Sequence, residues 1–247
     1  MPIAASDLKA YQAANMPEND SATVGGAIVT TGLVEFTDVA ANDDLEALSD
    51  NAGDTMNLTL TGRSAAGAIV SETKALTGVT AAIFSTLGVI ERFLKALLAS
   101  NPAGTITIRR SVGGATVATI PPAKTSVRRL FYDAASEAGS TTRYEKLFMK
   151  NEHGTLTLTN AALKLTADPA ATIRIGAAPS VDDSATATNR KTAPASVTFV
   201  DDSVSQGVPG GSLAAGAAIG VWAEMVRGAG AAAIKNTFTV ELSGTTT

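Results

Sequence analysis

The one side chain able to serve as a general base near neutral pH is His153, the single histidine of the chain, set in Asn151-Glu152-His153-Gly154. A Ser/His/Asp triad needs its imidazole beside a nucleophile. A histidine followed by glycine between two strand candidates reads instead as an exposed hairpin tip, and no G-x-S-x-G elbow, H-E-x-x-H pair or P-loop accompanies it. Paired carboxylates could do acid–base work without histidine. The candidates Asp43-Asp44, Asp182-Asp183 and Asp201-Asp202 all lie in turn-like sequence, where carboxylates are ordinarily solvated. The same Asp-rich loops could offer hard oxygen ligands to calcium, but the D-x-D-x-D-G spacing is missing. With no cysteine in the chain, disulfides, thiolate catalysis and sulfur-ligated metals are excluded.

The glycine-rich run at 207–220 (GVPGGSLAAGAAIG) lacks the Lys-Ser/Thr of a P-loop and the strand, glycine turn and helix order of a dinucleotide fold. It reads as a loop leading into a strand at Ile219-Gly220-Val221-Trp222. Trp222, the only tryptophan, alternates with Val221 and Ala223 and reads as a core residue rather than a binding platform. The expectation is therefore a non-enzymatic chain with no catalytic residue, no metal site and no cofactor.

Composition narrows the partners. Hydrophobic residues make up 45% of 247 and charged residues only 17%, so the surface must be built largely from Thr, Ser, Ala, Gly and Asn. Such a surface is weakly hydrated and suits packing against neighbours. The net charge of -4 argues against nucleic acid, because neutralising phosphates takes clustered Lys and Arg. The pairs Arg109-Arg110 and Arg128-Arg129 are isolated, and as strand neighbours each pair would point to opposite faces, to solvent or to a partner. The N-terminal MPIAASDLKAYQ has no basic stretch followed by an apolar one, so no secretory signal is expected. No run of 18 apolar residues occurs, and no membrane partner is expected.

The elements that would position these residues are mostly strands. Residues 6–15 predict a short helix, with Ser6 or Asp7 as N-cap, Leu8 and Tyr11 on one side and Pro17 beyond the end. Residues 16–32 hold many turn formers and little to bury, and read as an extended arm ordered by contact with something else, or as a frayed terminus. Residues 43–51 predict one helical turn. Met56, Leu58 and Leu60 then alternate with Asn57, Thr59 and Thr61, the period of a half-buried strand. Further strands are expected at 68–76, 105–109 and 116–120, with Gly113-Gly114 as a turn and Pro121-Pro122 closing the block.

The stretch from Ile83 to Leu98 is ambiguous. Its spacing of three and four favours an amphipathic helix, whereas Gly88 in mid-segment and the sandwich's need for a strand favour β structure at 91–100. A second block predicts strands at 130–132, 146–151, 156–165, 173–177, 197–200, 219–226 and 237–242. Asn160-Ala161-Ala162 shifts the alternation by one and implies a bulge or tight turn. Residues 180–194 and 207–216 read as long loops of the kind that make contacts or stay disordered.

Taken together, several stretches resemble the virion structural proteins of tailed bacteriophages, in particular capsid decoration or cement proteins. They are Ser6-Asp7-Leu8-Lys9, Asn15-Met16-Pro17-Glu18-Asn19-Asp20, Gly25-Gly26-Ala27-Ile28, and Thr59-Leu60-Thr61-Gly62-Arg63 through Val70-Ser71-Glu72-Thr73. In the second half they are Tyr144-Glu145-Lys146-Leu147-Phe148-Met149-Lys150-Asn151, Asn189-Arg190 before Ala193-Pro194, and 217–222. None is a chemical signature, so the resemblance is one of overall texture.

It implies an all-β chain of two immunoglobulin-like β-sandwich domains behind an N-terminal helix and arm, divided as 1–50, 51–125 and 126–247, and it tips 91–100 toward a strand. It further implies a protein made in the host cytoplasm and bound to the capsid exterior of the virion. There it would bridge subunits of the major capsid protein, itself a homotrimer, by many weak contacts made strong through multivalency. The contact residues expected on this basis are Leu8, Tyr11, Met16, Pro17, Glu18, Asn19, Asp20 and Ile28. A tail, neck or baseplate component is the alternative within virions. A carbohydrate-binding or adhesive module is a third reading, weakened by a chain only 4% aromatic, since sugar platforms need exposed rings.

Overall fold

The fold is seen in a computed structural model, which describes residues 2–131, 138–231 and 237–246. The chain is all-β and contains several sheets, sandwich-like in architecture. Among the described residues its only helical pieces are two three-residue 3-10 turns, Ala5–Asp7 and Pro209–Gly211. None is long and apolar enough to cross a membrane.

In chain order the first strands are β1 (Leu8–Asn15), β2 (Val24–Leu33), β3 (Leu45–Ser49), β4 (Asn57–Ser64), β5 (Ile69–Ala75) and β6 (Ala82–Ile83). There follow β7 (Ile90–Leu98), β8 (Ile106–Arg110), β9 (Thr116–Ile120), β10 (Ser126–Arg128), β11 (Thr141–Asn151) and β12 (Leu158–Ala167). The last are β13 (Ile173–Val181), β14 (Thr186–Ala187), β15 (Ser205–Gly207), β16 (Ser212–Leu213), β17 (Ala218–Arg227) and β18 (Thr239–Thr246). They form two compact units, Thr30–Tyr132 and the pair of segments Met1–Val29 with Asp133–Thr247. β2 lends its first residues to the discontinuous unit and its last to the other.

The Thr30–Tyr132 unit holds the path β10-β7-β4-β5, with the end of β2 parallel to β10, and the separate sheet β6-β3-β8-β9. Its core is made by buried strand residues, with Leu58 and Leu60, Ile106 and Ile108, and Leu45 and Ala47 at the period of two, joined by Phe93, Leu94, Val117 and Ile120. Gly113 and Gly114 both take positive φ in the β8–β9 connection, the backbone state a tight hairpin turn needs and glycine gives without strain.

The discontinuous unit holds the order β13-β17-β11-β1 followed by the first half of β2, on which β14 pairs. A separate sheet has β12 between β15/β16 and β18. β11 is its spine. Ten consecutive residues pair with β17, from Thr141 on Arg227 to Lys150 on Ala218, and Leu8 to Gln12 of β1 pair on its other edge. Tyr11, Phe148, Trp222, Ile219 and Val221 are buried there. The predicted irregularity at Asn160 is a register shift between Thr159 and Ala162, with Asn160 itself at φ 49.

Three local expectations need correction. Residues 8–15 are strand β1 and not a helix; the 3-10 turn with its Asp7 carboxylate on the Ala4 N–H is all that the N-cap signal produces. The open edge of β11 supplies hydrogen bonds along Leu8 to Gln12 that a marginal ten-residue helix could not match, so tertiary pairing overrides local propensity. Residues 45–49 are likewise strand β3, paired to β8 from Leu45 on Arg110 to Ser49 on Ile106. Leu130 and Phe131 lie outside any strand, the nearby strand being β10, while Tyr132 falls outside the described residues. The ambiguous 83–98 stretch resolves as β7 from Ile90 onward, with the shorter β6 ahead of it. One face of β7, from Ile90 to Leu98, is buried while Leu97 is exposed on the other, and two register shifts against β4 disturb the alternation that would have marked it as a strand.

Candidate functional site

The segment expected to be an arm is built into the sheet on either side of a loop, residues 16–23. β1 pairs with β11 before the loop, and β14 pairs with Val24 and Gly25 after it. Inside the loop, Asn19 Oδ1 accepts from the Ser21 N–H, the Ser21 hydroxyl and the Ala22 N–H at 3.1, 2.9 and 3.0 Å, the self-capping turn for which asparagine is suited.

Asp20 then clamps the loop to the sheet. Its carboxylate accepts Arg143 Nε and Nη2 at 2.7 and 2.8 Å, a bidentate pair of the strong, planar kind. Lys191 Nζ stands 3.0 Å away and Arg190 Nη1 3.7 Å. Burial works to raise the pKa of Asp20, but the hydrogen bonds from Arg143 and Lys191 and the charges of Arg143 and Arg190 outweigh it and hold it at about 2. Arg190 extends the network inward, its Nη2 lying 2.9 Å from Glu145 Oε1, and its carbonyl accepts the Tyr144 N–H at 2.7 Å. The loop is thus tied both to β11 and to the 188–191 segment.

The eight expected contact residues are placed unequally by this arrangement. Tyr11 is fully buried, and its hydroxyl donates to Glu152. Met16 is buried, while Leu8, Pro17, Asp20 and Ile28 are half-buried and Glu18 and Asn19 are exposed. Five of the eight share the one loop, with Glu18 and Asn19 at its solvent-facing part.

His153 and at least one carboxylate of each candidate pair are engaged in structural contacts. His153 is half-buried, and its Nδ1 accepts the N–H groups of Thr155 and Leu156 at 3.2 and 3.0 Å. A neutral imidazole accepting through Nδ1 carries its proton on Nε2, the reverse of the tautomer a triad base requires. Asp43 faces Arg110 at 3.2 Å and accepts the Val112 N–H at 3.2 Å. Asp182 accepts the Ala218 N–H at 2.9 Å. Asp201 caps its own turn through Ser203, whose hydrogen bonds lower its pKa. Among the described residues no three His, Cys, Asp or Glu gather as a metal ion would need. The glycine-rich 207–216 segment leads through a 3-10 turn and β16 into β17.

Of the arginine pairs, expected to be solvated or partner-facing, one is internal, while Arg109 and Arg110 are half-buried and face carboxylates. Arg128 and Arg129 are both buried. Arg129 pairs with Asp38, whose other carboxylate oxygen accepts the Phe93 N–H at 2.8 Å. Arg109 meets Glu46 at 2.7 Å. Carboxylates far away in sequence supply the charge that makes such burial tolerable.

Two buried charges went unnoticed in the sequence. Glu145 and Lys146 are neighbours in β11, on opposite faces, and neither exposes its side chain. Lys146 Nζ donates to Asp183 Oδ2 at 2.7 Å and to the carbonyls of Asp183, Ala185 and Gly26 at 2.8, 3.3 and 3.2 Å. It also lies 4.8 and 5.6 Å from the ring centres of Phe148 and Trp222. Burial lowers its pKa, and Asp183 opposes the shift. Ion pairs across 37 residues leave no periodic trace; the one local signal is a Glu-Lys pair set between Tyr144 and the apolar run Leu147-Phe148-Met149.

The arrangement can grip its own loops and present a rigid surface. No protein-family model matches the chain, and comparison with curated proteins and with solved structures gives no significant match either.

Proposed function

We propose that this chain is a non-enzymatic capsid decoration protein, which binds the outside of a phage head and bridges neighbouring subunits of the major capsid protein, with further copies of itself as the other partner. In this reading it acts without nucleic acid, membrane or cofactor, and its two units are immunoglobulin-like. The observation that carries the reading is the clamped loop at 16–23. A surface loop held by a bidentate Asp20–Arg143 pair has already lost the conformational freedom that binding would otherwise remove, so it can dock at little entropic cost. The thinly charged surface, rich in Thr, Ser and Ala, and the structural use of His153, Asp43, Asp182 and Asp201 support the same conclusion.

The test is co-sedimentation of the purified protein with heads of the phage that encodes it. Removing the N-terminal segment is the wrong variant, because β1 and β2 are integral strands. Glu18→Lys, a change on an exposed residue, should weaken head binding at least tenfold while leaving the thermal melt in place. Failure of the unaltered protein to bind heads overturns the reading, and tens of copies per particle rather than hundreds would point to tail or neck instead.

A further inference from the structure

A sheet ends where a strand has a neighbour on one side only, and exposed edges are normally blunted. Most ends of the sheets here follow that rule. β13 is bridged by Val200 at Ile175 and receives the Gln206 side chain at the Ala177 N–H. β9 is met by the Thr37 N–H at the Val117 carbonyl. β6, β15 and β16 are two or three residues long, and β18 pairs with β12 through two register shifts.

β5 is different. Its seven residues contain no proline, run against β4 without a register shift from Asn57 on Ala75 to Arg63 on Ile69, and pair with no other strand among the described residues. The bonds at its two ends set which groups face out. The Leu76 N–H donates to the Met56 carbonyl and the Ser64 N–H to the Ala68 carbonyl. In an antiparallel ladder hydrogen-bonded pairs alternate, so the even residues of β5 turn their backbone groups to β4. Ile69, Ser71, Thr73 and Ala75 turn theirs outward, and their side chains are all exposed.

We propose that this edge pairs with the same edge of a second copy of the chain, antiparallel and centred on Thr73. Backbone geometry requires odd residues to face odd residues. Centring on Glu72 would set Glu72 against Glu72 of the other copy, and centring on Lys74 would set lysine against lysine. Centring on Thr73 sets Glu72 against Lys74 twice over, at non-hydrogen-bonded positions where side chains come closest. Glu72 already accepts the Leu87 N–H at 2.8 Å and Lys74 donates to the Ile83 carbonyl at 2.6 Å. A carboxylate has a second oxygen and an ammonium two further protons, so each can take the new partner as well. The charges that guard the edge against an arbitrary strand are matched in one register by a second copy, which is how specificity arises from repulsion. The contact stands apart from the capsid reading, and being two-fold it pairs copies rather than closing a trimer.

Sedimentation velocity over a concentration series tests it on the full chain. The protein should move from its 24.9 kDa monomer toward twice that mass as concentration rises to the order of 100 μM, as befits a small interface. Thr73→Pro removes an outward N–H and no ladder bond to β4, and should hold the protein monomeric with unchanged circular dichroism. Glu72→Lys and Lys74→Glu should each be monomeric alone, and equimolar mixing should restore the dimer, which a folding defect could not do. A monomer at every concentration, or self-association that survives Thr73→Pro and both charge reversals, would falsify the proposal.

Discussion

Arg190 and Glu145 meet with no exposed surface on either side chain, Nη2 to Oε1 at 2.9 Å. The pair joins the middle of β11 to the 188–191 segment and, through Arg190, to Asp20. Glu145→Ala leaves a guanidinium buried without its inner counter-charge, and losses of this kind run to about 3–5 kcal/mol. Chemical denaturation should show a loss of that size, and Glu145→Gln, which keeps the shape, should lose less. Because Asp20 shares the same arginine, Glu145→Ala and Asp20→Asn should combine non-additively.

Asp20 makes stability depend on acid. Its pKa sits at about 2 against an ordinary 3.8, so the folded state favours its ionised form. The stabilisation is complete above pH 4, and is lost as pH falls from there through about 2. Since the group is partly solvated, its share is about 1 kcal/mol. Asp54 acts in the same direction: burial would raise its pKa, but the Ser49 hydroxyl and the Ala103 and Gly104 N–H groups hold it down. Asp20→Asn should therefore flatten the acid limb of a melting-temperature profile without abolishing it.

Lys146 is held by Asp183 and three carbonyls. Lys146→Met removes every donor from that cluster and should cost about 3 kcal/mol by denaturant titration. Adding Asp183→Leu should restore part of it, because the carboxylate is then no longer left beside an apolar neighbour.

Gly25 has φ +94, and a Cβ there would stand 2.6 Å from the Trp222 ring and 2.9 Å from the Ala185 carbonyl. Gly25→Ala combines a left-handed backbone with overpacking and should cost about 3 kcal/mol. The emission of Trp222, the only tryptophan, should shift to the red as its packing loosens.

What could be read from the chain without its fold was whatever depends on neighbours in sequence. Alternation located β4, β5, β8, β9 and β17, glycine pairs marked the β8–β9 turn, and the broken alternation at Asn160 marked the register shift in β12. These signals are local because a strand's side chains alternate whatever it pairs with. Composition likewise limited the chemistry, since a chain without cysteine and with one histidine has few nucleophiles or bases to offer.

Only the tertiary structure decided the rest. Residues 8–15 carry the marks of a short helix and are a strand because β11 has an edge to fill. Arg128, Arg129, Glu145 and Lys146 look like surface charges and lie inside, because Asp38, Arg190 and Asp183 arrive from distant segments to meet them. The loop at 16–23 was legible as a run of turn formers, but its rigidity depends on Arg143, more than a hundred residues away. Pattern in a sequence encodes which face of an element is apolar; which element covers that face, and which charge finds its partner there, is settled only when long-range pairing brings them together.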